Sequence, residues 1–454
     1  MGKSLLTRVV VFPVTALAAL VTTSIVVQSA GGLLFGIIAL ISTLVQLVPF
    51  ADLGLGAAVV NEISSTTDAS RRKAVLYTAT KRLLIPMVVV LLAAPMGSTF
   101  FSWATLLGVT GTSPHEVDMV TSIVVAIFGL SIPFGLGQRV LVGLGKNHIA
   151  VALALVTSLT ALSLTWLISI TPANPVFLAV CPAAASLVAA ATTYILAWRM
   201  LGTEGISSNF RSIKIGGLFR QATPMIVIMI GIPLAFQTHR ILLSLRSGPL
   251  ELSEYSLTMQ FYLPLWSFIS VAATSLWPVF SRGRSSGEAQ GKKVLHSALI
   301  LCSLGTMFAL LLTFFGSWLG GIVSQGKIEL GSSVLMASAV LLFVQSLQQV
   351  PGMFLTDTSG LWFQAICIVI LSIWTLAAGW LTAPYLGAAG PLLATASGVL
   401  LFQIVPGYVR VAKILRGKTT PESVKRGRSG RRRAEKTSSR RPVGVRSRQS
   451  VRID

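Results

Sequence analysis

A few charged side chains sit inside or at the edges of long apolar runs, and these are the residues of the sequence whose types suit chemistry. Arg139, the adjacent pair His239-Arg240, and Arg8 supply cations. Asp52 is the one carboxylate well inside an apolar run, with Gly54 and Gly56 following within a turn. Charge at the depth of a membrane is costly and usually functional. A guanidinium there offers bidentate, charge-assisted contacts to oxyanions, unless it snorkels to the interface as a topology anchor. Asp52 and Gly56 share a helix face and combine a buried charge with close helix approach. That face is either a cation-coupling site, a partner for an internal arginine, or a structural bridge between helices.

The remaining reactive residue types are dispersed. Cys181, Cys302 and Cys367 are single residues in or beside apolar runs, and His115, His148, His239 and His296 are scattered. Neither set shows metal-ligand spacing, and no HExxH, CxxC, GxSxG or Walker pattern occurs, so no metal, cofactor or catalytic centre is expected.

The elements that must position these charges are membrane helices. Of 454 residues, 53% are hydrophobic and only 11% charged, against roughly 25% charged in a soluble domain. Mean hydropathy is +0.78. Apolar runs of about twenty residues are long enough to cross roughly 30 Å of hydrocarbon as helices, and helices satisfy their backbone internally. The alternating pattern of a membrane barrel is absent. An all-α integral membrane fold of about twelve spans is expected, near 8–30, 33–60, 83–107, 118–140, 148–171, 176–198, 216–245, 255–280, 294–319, 331–355, 361–382 and 388–410.

Basic residues concentrate in every other loop. Arg71, Arg72, Lys73, Lys81 and Arg82 follow the second span, Arg139 and Lys146 the fourth, Arg199, Arg211, Lys214 and Arg220 the sixth, and Arg282, Arg284, Lys292 and Lys293 the eighth. Intervening loops are bare or acidic, with Arg246 and Lys327 as exceptions. Positive loops tend to stay cytoplasmic, so both termini are expected there. Residues 413–454 hold 15 Lys or Arg against three acidic residues, a composition that builds no core and is expected to be a disordered basic tail. It is either a clamp on anionic lipids or an extended topology signal; lacking aromatic residues to stack on bases, it is not expected to bind nucleic acid.

Weak correspondence between the halves, offset by about 220 residues, suggests two six-helix bundles, 1–205 and 206–412, and transporters often place a substrate path between such repeats. Four segments carry a family resemblance: Phe50 to Ala58 (FADLGLGAA) followed by Asn61-Glu62, Gly248 to Ser256 (GPLELSEYS), Leu276-Trp277-Pro278, and Leu386 to Gly390 (LGAAG). In order and spacing they resemble the Wzx-like polysaccharide-biosynthesis flippases, whose superfamily (MOP) also holds multidrug and toxin extruders (MATE) and peptidoglycan-precursor flippases. The resemblance covers residues 1 to about 412. It implies a V-shaped pair of six-helix bundles in the bacterial cytoplasmic membrane. It also implies alternating access, and translocation of an undecaprenyl-diphosphate-linked oligosaccharide with polymerases or glycosyltransferases of the pathway as partners. On that basis Arg139, His239, Arg240 and Arg8 become candidates for the diphosphate. The family often has an acidic residue where His239 stands, so cation coupling at that position is not implied. A cation-coupled drug exporter of the same superfamily is the alternative, and a membrane glycosyltransferase with acidic outward loops, here Glu116 and Asp118, a more distant one.

Overall fold

The computed structural model describes residues 2–44, 55–66, 68–202, 216–277, 279–280 and 290–419. Their chain order is α1 (Gly2–Thr43), α2 (Leu55–Ser65), α3 (Ala69–Thr99), α4 (Trp103–Leu106), α5 (Pro114–Phe134), α6 (Leu136–Gly143), α7 (Asn147–Ala152), α8 (Ala154–Ser169), α9 (Val180–Met200), α10 (Gly216–Phe236), α11 (His239–Arg246), α12 (Pro249–Thr274), α13 (Gly291–Ser324), α14 (Ser332–Phe354), α15 (Thr358–Leu386), α16 (Ala389–Val399) and α17 (Val405–Thr419). Among the described residues there is no strand, and ten helices are long and apolar enough to cross a membrane. The more polar α12, with Glu251 and Glu254 in its first turns, falls outside that set although its 26 residues exceed the span length.

The expected first and second spans are two helical arms that follow one another at a break with no loop between them. α1 turns at Gly31 (φ 81°, ψ 167°), a backbone conformation that residues with a Cβ rarely adopt. The break frees carbonyls at the end of the first arm, and Lys327 caps them, its Nζ donating to Gln28 O (2.9 Å) and Val27 O (3.5 Å). Lys327 is therefore a helix cap, which explains its exception to the loop-charge alternation. Arg246, the other exception, sits in the last turn of α11 with its guanidinium 4.7 Å from the Trp380 ring centroid.

The third span begins well before the expected residue 83. Asp68 caps α3 by accepting from Ser70 N (2.9 Å), so Arg71, Arg72, Lys73, Lys81 and Arg82 lie on the helix and not in a loop. Arg71 pairs with Glu62 and Arg72 Nε donates to Ile63 O (3.1 Å), binding this basic end of α3 to α2.

Asp118, Glu251 and Glu254 are caps as well. Asp118 accepts from Ala104 N (2.7 Å) and Ser102 Oγ (3.0 Å), Glu251 from Ala388 N (2.7 Å), and Glu254 from Gly331 N (2.6 Å). Each compensates orphan amides at a helix start.

Three apolar clusters hold the helices. One gathers residues of the first half only, among them Ile63, Leu76, Leu83, Leu136 and Leu141; another the second half only, among them Ala235, Val344, Ile368 and Leu371. The largest joins α1 to α12 and α14 through Val27, Leu40, Ile41, Leu252, Leu257 and Leu342. At that seam the Gly36 N–H donates to Ser253 Oγ (3.0 Å), as small-residue contacts between membrane helices allow. Large apolar side chains such as Ile85, Phe314, Trp318 and Leu381 are exposed, as lipid-facing positions require.

Candidate functional site

The seventh span carries the site because it does not run straight. Pro233 lacks the N–H of a helical ladder, and one turn later the helix ends, with a turn at Gln237-Thr238 before α11 starts at His239. His239 and Arg240 thereby stand at the start of a new helix, facing α12 and α16. His239 is 2% exposed and Arg240 6%.

His239 bridges two helices. Its Nδ1 lies 3.0 Å from Tyr255 Oη and its Nε2 2.7 Å from Thr395 Oγ1. Thr395 donates its own proton to Pro391 O (2.9 Å), so Nε2–H is the donor to Thr395. The Tyr255 ring stands edge-on to the imidazole.

Arg240 is the permanent charge of the site. Its Nε donates to Ser256 Oγ (3.2 Å), and its guanidinium carbon lies 5.7 Å from the Tyr255 ring centroid. Among the described residues no carboxylate pairs with it and its two Nη groups have no hydrogen-bond partner. A buried guanidinium without a counter-ion is poised for an anion.

His239 and Arg240 line a cavity of about 280 Å³ between α10–α12 and α14–α17. Its wall includes Phe236, Tyr255, Tyr262, Trp266 and Phe363, together with six glutamines, Gln237, Gln345, Gln348, Gln349, Gln364 and Gln403. Among the described residues no Asp or Glu lines it. Gln345, Gln348 and Gln349 fall at i, i+3 and i+4 on α14 and so share a face. Gln403 arrives from a π turn, Leu400–Ile404, just before Pro406, which withholds a helical N–H.

The other expected site residues do not converge here. Arg139 is half-buried on α6, which packs against α2 and α9 in the first half, away from the cavity walls. Gly56 is buried on α2, while Asp52, Gly54 and the Arg8 side chain lie outside the described residues, as do residues 420–454. The glutamines were not singled out from sequence, and Tyr255 stood there only as part of the GPLELSEYS segment. A signal existed in Gln345-x-x-Gln348-Gln349, three amides on one face of an apolar span. Among the described residues no group of three His, Cys, Asp or Glu forms a metal-holding cluster.

The class defined by this fold is a multi-pass α-helical membrane protein built like the transporters of the MOP superfamily. The chain superposes on an inward-facing multidrug-resistance MATE transporter of that superfamily with TM-score 0.66 at 16% identity, covering 90% of this chain and 96% of that one. For the lipid II flippase MurJ in an inward closed conformation the TM-score is 0.67 at 13% identity, over 90% and 87%. A MOP transporter from Pyrococcus furiosus, described as having a binding pocket of reversed polarity, gives 0.57 at 14%, over 90% and 96%. No curated protein matches the chain. The family model "Polysaccharide biosynthesis protein" matches residues 2–284, and the chain belongs to that family.

Proposed function

We propose that this protein flips a lipid-linked oligosaccharide precursor, its phosphate held by Arg240, across the bacterial cytoplasmic membrane by alternating access. The observation that carries this reading is a cavity whose charged wall residue is a buried arginine with no carboxylate beside it or elsewhere in the lining among the described residues. A diphosphate head and sugars need a polar, cationic path, while a polyprenyl tail stays in lipid. Membership of the polysaccharide biosynthesis family supports a cargo of this class. Twelve spans, both termini in the cytoplasm and two bundles, 1–205 and 206–412, belong to the same proposal, and the two half-specific apolar clusters support the division. The basic segment 413–454 is proposed to hold anionic inner-leaflet lipid, to be tested by binding of the chain truncated after Arg416 to anionic liposomes; unchanged binding would retire the idea. Polymerases or glycosyltransferases of the pathway are proposed partners.

The aromatic wall at Tyr255, Trp266 and Phe363 also suits a flat hydrophobic cation, which keeps the multidrug exporter as a second reading. Arg240 disfavours it, since a like charge in the wall repels such cargo. Deleting the gene and extracting membrane lipids separates the two. Accumulation of a cytoplasm-facing lipid-linked sugar with loss of surface polymer supports flipping. Sensitivity to cationic drugs with no lipid-linked sugar accumulating supports export.

A further inference from the structure

The six glutamines of the cavity ask for a ligand more specific than an anion. Tyr262 donates its hydroxyl to Gln345 Oε1, which leaves the Gln345 amide N–H groups without a partner among the described residues. Gln364 commits its Nε2 to Leu355 O (2.7 Å) and Gly352 O (3.2 Å), leaving its oxygen as an acceptor. Gln349 reaches Gln348 at 3.5 Å, and Gln237 and Gln403 have no side-chain hydrogen bond to a described residue. Gln345 and Gln349 are 6% and 9% exposed. Buried amides are ordinarily satisfied. The fully enclosed side-chain atoms lacking a partner among the described residues are on Thr121, Thr165 and Gln290, so the free amide atoms of the cavity glutamines open onto its interior.

Such a wall has a defined complement. Amides supply donors and acceptors without charge, and a ring of hydroxyls, each donor and acceptor at once, pairs with both kinds. The rings of Tyr262, Trp266 and Phe363 offer flat apolar faces in the same wall, matching the C–H face of a pyranose. A volume of about 280 Å³ is at the small end of ligand pockets, roughly 300–1,000 Å³, and suits one sugar ring with its phosphate, not a chain of them.

We propose that the cavity is a sugar subsite that takes a single uncharged pyranose bearing hydroxyl or acetamido groups, with the glutamines of α14 reading the ring beside the phosphate on Arg240. Resting on the transport reading above, this assigns the selectivity for the cargo's phosphate-proximal sugar to the second half of the molecule. A sugar carrying an amino group is rejected by Arg240, and a sugar lacking ring hydroxyls leaves the amides unpaired.

Saturation-transfer NMR on the full chain in lipid nanodiscs tests this with four probes: N-acetylglucosamine 1-phosphate, N-acetylglucosamine, glucosamine and ethidium, with inorganic phosphate as competitor. Transfer to the ring protons of the first two and not to glucosamine is expected. The double variant Gln345→Leu/Gln349→Leu should weaken that transfer about tenfold, as loss of two net hydrogen bonds predicts. Arg240→Lys should weaken transfer to N-acetylglucosamine 1-phosphate more than transfer to N-acetylglucosamine, because it removes the bidentate hold on the phosphate. If phosphate displaces the sugar phosphate while N-acetylglucosamine alone gives no transfer, the subsite is overturned and the transport reading stands. Ethidium binding with no transfer to either sugar overturns both. The ranking of probes on the unaltered protein decides even where the double variant does not fold.

Discussion

Arg139 and Arg240 look alike in sequence, each a lone guanidinium late in an apolar span, yet their surroundings differ in kind. Around Arg139 the helices close. Gly137, two residues before it, lies against α9 so tightly that a Cβ there would come within 2.5 Å of the Tyr194 backbone, and Tyr194 continues into a ring cluster with Phe134 and Trp198. Around Arg240 the helices part. The Pro233 kink and the turn at Gln237-Thr238 open a cavity that a π turn and three glutamines of one helix face furnish with polar groups. A charge in a membrane span thus marks a site only where neighbouring backbones leave room for a ligand.

The largest test of this contrast is Arg240→Ala. Removing the one partner of a desolvated anion costs roughly 2–5 kcal/mol, so transport of lipid-linked sugar in reconstituted vesicles should fall at least about 30-fold while the protein stays monodisperse. Full transport in this variant would detach the cavity from function.

Gly137→Val addresses the closed side. Its branched side chain would push α6 from α9, lowering stability by about 1–3 kcal/mol, as overpacking does. Thermal melting in detergent should show the loss, with transport per folded molecule retained. Transport collapsing without a change in melting would mean that the first half also holds cargo.

A smaller change is expected from Ser256→Ala, which leaves Arg240 charged and releases Nε from its 3.2 Å hydrogen bond. One net hydrogen bond is worth about 0.5–1.5 kcal/mol, so apparent affinity for the sugar phosphate should drop about two- to tenfold with maximal rate little altered. The smallest effect belongs to Arg139→Gln. Because its guanidinium lies outside the cavity wall, transport should change by less than about twofold, within the usual worth of an interfacial charge; a loss as deep as that of Arg240→Ala would erase the contrast.

Much of the fold was legible because lipid imposes few solutions. Runs of about twenty apolar residues place the helices, and their order with the DLGLG and LGAAG segments pointed to the family that the match over residues 2–284 shows. The end of α3 was misplaced because a helix continuing past the hydrocarbon turns basic and reads as a loop, although Asp68 was available as its cap. Charge alternation flagged Lys327 and Arg246 as exceptions without giving a reason. The reason lies about 300 residues away in one case, at the Gly31 break, and on the Trp380 ring in the other.

The sequence by itself determined that the chain is a bundle of membrane helices and that its internal cations are few, since both follow from composition along one dimension. It named both Arg240 and Arg139 as candidate cations for the diphosphate. Only the tertiary structure separated them, because a cavity is made by helices distant in the chain. Tyr255 and Thr395 reach His239 from two helices and Gln345 and Gln364 line the neighbouring cavity from two more, and no spacing within any one helix records that they come together. A glutamine in a span is merely an expensive residue until the neighbours that leave it unpaired are in place.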